Sequence, residues 1–204
     1  MLLALFLLAQ DVVEIQALPI RYGGSNRCTI VDMTKENTHH IVVMGVSGTG
    51  KTSIAHALRD QLGWPFIEGD DLHPNENIQK MSAGIPLTDE DRAPWLARIS
   101  TWIKDAHARG ERTVVTCSAL KRAYRDVLRE AAPGVLFVHL TGPRETIADR
   151  MKYRQGHFMP TSLLDSQFAT LEPLEADEAG VLVDISGTPE EVATAALAAL
   201  SPTL

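Results

Sequence analysis

Hydrophobic positions along the chain fall into short runs separated by stretches with helical spacing. Ile41 to Met44 is a four-residue apolar run ending at Gly45, the pattern of a strand buried on both faces. Ile54, Leu58 and Leu62 then recur every four residues, which predicts a helix over about Lys51 to Leu62, closed by Gly63. Further strands are predicted at Pro65–Glu68, Thr113–Cys117, Val135–Leu140 and Val181–Ile185. A longer helix places Trp95, Ile99, Trp102, Ile103 and Ala106 on one face; Thr88-Asp-Glu-Asp91 and Pro94 are competing signals for its start, and the pattern does not choose between them. Helices are also expected from about Ala119 to Glu130, Pro143 to Arg154, Pro160 to Leu171 and Pro189 to Leu200. Five buried strands alternating with helices predict a three-layer α/β domain around a five-stranded parallel sheet, with ligands at the carboxyl ends of the strands.

Composition narrows the class. With 204 residues, 45% of them hydrophobic, the chain suffices for one substantial core and hence one domain. A formal net charge of -7 argues against nucleic acid or an anionic membrane as partner, so a small anionic substrate would need a locally basic pocket. Cys28 and Cys117 are too few and too far apart for a zinc cluster, which fits a reducing, cytoplasmic setting. The apolar stretch Met1–Leu8 resembles a signal-peptide core, but no basic residue precedes it and it is too short to span a bilayer. Residues 1–38 are therefore expected to be an extension outside the fold, with 39–204 as the domain; Met33 opens the polar lead into the first strand. A membrane-targeting role for the first residues is the rival reading.

The first strand runs directly into Gly45-Val-Ser-Gly-Thr-Gly50-Lys51-Thr52, a full match to G-x-x-x-x-G-K-[ST] in the strand-to-helix context the motif requires. Such a loop curls so that successive N–H groups point into one concavity, reinforced by the helix N-terminus. Gly45, Ser47, Gly48, Thr49, Gly50, Lys51, Thr52 and Ser53 are the nucleotide-binding candidates. Lys51 is expected to reach the β and γ phosphates of ATP, and the Thr52 hydroxyl to ligate Mg²⁺. A phosphate loop alone names no acceptor, because kinases, switches and motor ATPases share it. On the acceptor side, the second strand ends in Glu68-Gly-Asp70-Asp71-Leu-His73. Asp70 could orient an attacking hydroxyl and accept its proton, or hold Mg²⁺ through water. His39, His40, His56, His107 and His139 lack metal-ligand spacing and receive no role.

The acceptor segment carries a more specific pattern: Gly69-Asp70-Asp71-Leu72-His73-Pro74, Asn77-Ile78, Lys80-Met81, Gly84 with Pro86-Leu87, and Asp89-Glu90-Asp91-Arg92 before Pro94-Trp95-Leu96. Downstream come Cys117-Ser118-Ala119-Leu120-Lys121, Tyr124-Arg125-Asp126, Leu128-Arg129, Gly156-His157-Phe158, Gln167-Phe168 and Leu171-Glu172. In these blocks, from about Ile41 to Ile185, the chain resembles the gluconate kinase family. The resemblance implies a P-loop domain like that of nucleoside monophosphate kinases, with a helical lid. It also implies ATP and Mg²⁺ as cofactors, transfer of the γ-phosphoryl to the 6-hydroxyl of D-gluconate, and a possible homodimer. Asp70, His73, Arg92, Lys121, Arg125 and His157 are then the expected substrate contacts, with arginine suited to a carboxylate by its planar fork. Lys51, Asp70, Arg150 and Arg154 are the expected catalytic groups, the two arginines closing over the transferring phosphoryl. A shikimate-like or nucleotide kinase, and a nucleotide-dependent switch, are the alternative readings.

Overall fold

A computed structural model of the chain describes residues 28–30, 39–152 and 163–204. Its centre is strand β2 (His40–Met44), whose residues from Ile41 to Met44 are fully buried. The other strands are β1 (Cys28–Ile30), β3 (Phe66–Ile67), β4 (Thr113–Thr116), β5 (Val135–Thr141) and β6 (Gly180–Asp184). They form one six-stranded sheet in the order β1-β6-β5-β2-β4-β3. Strands β2 to β6 run parallel, with Ile41 opposite Val114 on one side and Leu136 on the other. The five parallel strands expected from the sequence are all present.

β1 is the addition. It pairs antiparallel with β6, Cys28 opposite Val183 and Ile30 opposite Val181, although Cys28–Ile30 fall in the stretch expected outside the fold. Three residues carry too little periodicity to announce a strand; the open edge of β6 supplies the pairing partner. The apolar stretch Met1–Leu8 lies outside the described residues.

Helices cover both faces of the sheet. α1 (Lys51–Leu62) packs against α7 (Pro189–Leu200), and α3 (Asp89–Ala108) against α4 (Arg122–Arg129). α1 occupies the expected span, and Gly63 ends it with φ 69° and an N–H bonded to Arg59 O. The start of α3 is settled by a capping box: Thr88 N donates to Asp91 Oδ2 at 3.0 Å, and Asp91 N to Thr88 Oγ1 at 3.3 Å. These bonds satisfy two orphan donors, so Thr88 wins as cap and Pro94 sits inside the helix, forfeiting one helical hydrogen bond. α4 begins at Arg122 rather than Ala119, because Ala119 lies at φ 43°, outside helical geometry. α2 (Asn75–Ser82) follows a 3-10 turn at Gly69–Leu72, and its two buried side chains, Asn77 and Met81, are too few to register as a stripe. α5 (Arg144–Lys152) and α6 (Leu163–Thr170) flank residues 153–162, which lie outside the described residues together with most of the expected lid.

Candidate active site

From β2 the chain runs first to β3 and β4 on one side and then to β5 and β6 on the other, and that switch point opens a crevice at the carboxyl ends of the strands. A cavity of about 480 Å³ lies there, lined on one side by Ser47, Gly48, Gly50, Lys51, Thr52 and Ser53 of the phosphate loop. α1 starts without a side-chain cap and without an acidic residue in its first turn, which leaves its first N–H groups for an anion. Gly45 and Thr49 shape the loop from behind. A Cβ on Gly45 would come within 2.6 Å of Leu140 O, at a φ of +133°, and Thr49 is buried with its hydroxyl donating to Val46 O at 2.9 Å. Gly48 allows α5 to approach: a Cβ there would lie 2.6 Å from Met151 Cγ. The amide of Ser47 donates to Gln167 Oε1 of α6 at 2.6 Å, so the segments before and after residues 153–162 both rest on the loop. Lys51 Nζ donates to Val46 O at 3.1 Å.

Facing the loop across the cavity are Glu68, Asp70, His73, Arg92 and Ser118. Two contacts hold the turn that carries them: Gly69 N donates to Thr116 Oγ1 at 3.0 Å, and Trp95 Nε1 to Gly69 O at 2.7 Å. Trp95, a core residue by its periodicity, therefore also supports the site. Glu68, which the sequence reading left without a role, accepts from the Thr52 hydroxyl at 2.7 Å and from Thr116 Oγ1. Its place at the end of β3, beside the loop threonine, was the available signal.

Asp70 lines the cavity next to His73 and Arg92. The His73 ring is stacked on Trp95, centroids 4.1 Å apart at 14°. Burial pushes its pKa down to about 4; Asp70 opposes that shift, and Arg92 and Arg98 add to it. His73 is thus neutral near pH 7. Arg92 is 8% exposed, and its Nε has no hydrogen-bond partner among the described residues. A buried donor of this kind costs stability unless something else meets it.

Arg125, expected among the substrate contacts, is instead a core residue. It is fully buried and lines no part of the cavity. Nε and Nη2 donate to the two Glu178 oxygens at 2.6 and 2.7 Å, Nη1 to Ala119 O and Glu172 O, and Nη2 also to Pro173 O. Five donors meet five acceptors, so nothing is left for a substrate. Burial alone would raise the Glu178 pKa, but the Arg125 guanidinium and the Glu175 N–H together hold it below the usual range. Lys121 is likewise absent from the cavity wall, its Nζ held by both Asp89 oxygens at 2.8 and 2.7 Å. Arg150 lines the cavity and donates to Ile185 O at 2.7 Å. Arg154 and His157 lie outside the described residues.

A phosphate loop on a five-strand parallel core, opposite a pocket with a carboxylate and a buried cation, defines a P-loop kinase for small molecules. The comparisons agree. The family model described as "AAA domain" matches residues 41–174. The gluconokinase of Gluconobacter oxydans (strain 621H) is 52% identical over 152 residues, covering 74% of this chain and 85% of that protein. The thermosensitive gluconokinase of Escherichia coli (strain K12) is 50% identical over 146 residues, covering 71% and 78%. Among solved structures, a gluconokinase from Sinorhizobium meliloti 1021 has a TM-score of 0.73 at 52% identity, covering 82% and 94%. The chain belongs to the gluconokinase family. A Mycobacterium tuberculosis APS kinase, with a TM-score of 0.59 at 18% identity over 82% of this chain and 99% of that one, shares the fold alone. Among the described residues no helix is long and apolar enough to cross a membrane.

Proposed function

We propose that the chain transfers the γ-phosphoryl of ATP to the 6-hydroxyl of D-gluconate, giving 6-phosphogluconate and ADP. One observation carries this reading within the family: the phosphate loop shares its cavity with Arg92, a buried guanidinium whose Nε has no partner among the described residues. The gluconate carboxylate suits that cation. Arg92 takes the role that the sequence reading divided among Arg92, Lys121 and Arg125.

In the transfer, the C6 oxygen attacks the γ-phosphorus in line while the bond from phosphorus to the β-γ bridging oxygen breaks. Asp70 orients the hydroxyl and takes up its proton. Lys51 leaves Val46 O and follows the γ-phosphoryl, while the loop N–H groups hold the β-phosphate. Arg150, and Arg154 beyond the described residues, offset charge on the transferring group. The donor set fits magnesium: a Thr52 hydroxyl held by Glu68, with Asp70 lining the same cavity, offers the few hard oxygens that suit a hydrated, phosphate-bound ion. When bound there, Mg²⁺ would neutralise charge on the β and γ phosphates.

The test is ADP release, by coupled assay, with D-gluconate, glucose, shikimate and AMP. Clear turnover of gluconate and little of the others is expected, because glucose has no carboxylate for Arg92. Higher efficiency with shikimate or AMP would overturn the substrate while leaving the kinase.

A further inference from the structure

His73 has a protonation pattern that its neighbours dictate. Asn77, on α2 and 3% exposed, has its amide nitrogen Nδ2 2.7 Å from the backbone oxygen of Asp91. A carbonyl oxygen only accepts, so the atom facing it is the amide NH₂ and not the amide oxygen. That same nitrogen lies 3.3 Å from His73 Nδ1. A group with only hydrogens to offer must meet a lone pair there. His73 Nδ1 is therefore the acceptor, and the neutral ring carries its proton on Nε2. With Nδ1 turned to Asn77, Nε2 is the nitrogen left for the cavity that His73 lines.

Every partner in this chain is itself held. Trp95 fixes the plane of the imidazole by stacking, and is tied to Gly69 O. Asp91 caps α3 through Thr88, and its carboxylate takes Lys80 Nζ at 2.6 Å. Asn77 and Lys80, three residues apart on one face of α2, thus both end on Asp91. The low pKa of His73 is consistent with a ring that stays neutral.

We propose that His73 is a neutral Nε2–H donor to an oxygen of the acceptor substrate, and that Asn77 is the positioning residue that fixes this tautomer. The inference rests on the reading of the cavity as the gluconate site. Its chemical consequence is a division of labour. A ring whose cavity-facing nitrogen already carries a proton cannot take the hydroxyl proton, so proton uptake stays with Asp70. The donor also selects for a substrate with a lone pair at that point; a methylene there would strand a buried N–H.

Two measurements test this. Nitrogen-15 spectra of the imidazole groups, with His73 assigned by its loss in His73→Gln, are expected to show His73 protonated at Nε2 in the substrate-free wild-type protein. Protonation at Nδ1 would overturn the proposal. Asn77→Ala, checked for folding by its melting curve, is expected to show a mixture of tautomers. Its KM for gluconate should rise in proportion to the fraction of rings that lose the Nε2 proton, about two- to threefold, with the KM for ATP unchanged. An unchanged gluconate KM, or equal rises for both substrates, would overturn the role of Asn77. Failure of the substrate reading looks different: wild-type protein that phosphorylates another acid and not gluconate removes the assigned acceptor, whereas the His73 spectrum is recorded without substrate.

Discussion

Replacing Arg125 by Met tests the correction that the structure makes. The substitution keeps an apolar stem of similar length but removes the guanidinium from a pair in which both side chains are fully buried. Glu178 would keep one donor, the Glu175 N–H at 3.0 Å, and the carbonyls of Ala119, Glu172 and Pro173 would lose theirs. Breaking a buried pair by removing one partner costs about 3–5 kcal/mol. For a domain of this size each kcal/mol shifts the melting temperature by about 2–4 °C, so a drop of about 6–20 °C is expected. Differential scanning calorimetry reads the shift, and steady-state kinetics well below it should give a gluconate KM close to wild type. Arg125→Met/Glu178→Leu should recover part of the loss, because no unpaired charge remains buried while the three carbonyls still lack their donor. A melting temperature within about 2 °C of wild type, together with a selectively raised gluconate KM, would refute the structural role and return Arg125 to the substrate.

Arg92→Met is expected to do the reverse: little change in melting temperature, and a gluconate KM raised about thirtyfold or more as a charge-assisted bond to the carboxylate is lost, which kinetics at saturating ATP will show. Lys51→Ala should lower kcat on the order of a hundredfold or more in a folded protein; near-normal turnover would remove the loop from catalysis. Burial, before any other cause, pushes His40 and His139 down to about 4 from 6.5, so stability is complete above pH 6.5 and declines as pH falls toward 4, because only the unfolded chain takes up protons in that window. Both ring nitrogens of His139 lack partners among the described residues, so His139→Leu should flatten the decline by about 2 kcal/mol between pH 6.5 and 5 in urea titrations; identical slopes for variant and wild type would contradict this. A chain beginning at Met33 lacks β1, and should keep its specific activity with a melting temperature a few degrees lower, since every described residue of the cavity follows residue 46; an inactive truncation would make the first residues part of the functional domain.

Contiguous features were legible in the sequence. The phosphate loop lies in eight consecutive residues whose geometry is enforced by local backbone chemistry, and α1 repeats its apolar residues at a fixed spacing. The central strands β2, β4 and β5 were visible because a strand buried on both faces has little room for polar residues, whereas β3, at the sheet edge, is two residues long and only half-buried. The family blocks located the acceptor segment for the same reason: each is short and continuous.

Tertiary structure decided what depends on several distant segments at once. Arg92 and Arg125 are both basic residues at helix starts, and nothing in their local sequence separates them. One meets Glu178 and the carbonyls of Glu172 and Pro173, all from beyond α6, together with the nearby carbonyl of Ala119, and is consumed by the core; the other keeps an unpartnered Nε at the wall of a cavity. β1 exists through the free edge of β6, 150 residues or so away along the chain. The Glu68 contact to Thr52 and the Asn77 contact that sets the His73 proton require specific atoms at specific distances. Hydrophobic spacing reports which face of an element is buried, but a side chain's partners are fixed only when elements remote in sequence pack together. The sequence by itself thus determined the loop, the core strands and the acceptor segment, while packing decided which cation keeps an unpartnered donor beside the cavity and which imidazole nitrogen meets Asn77.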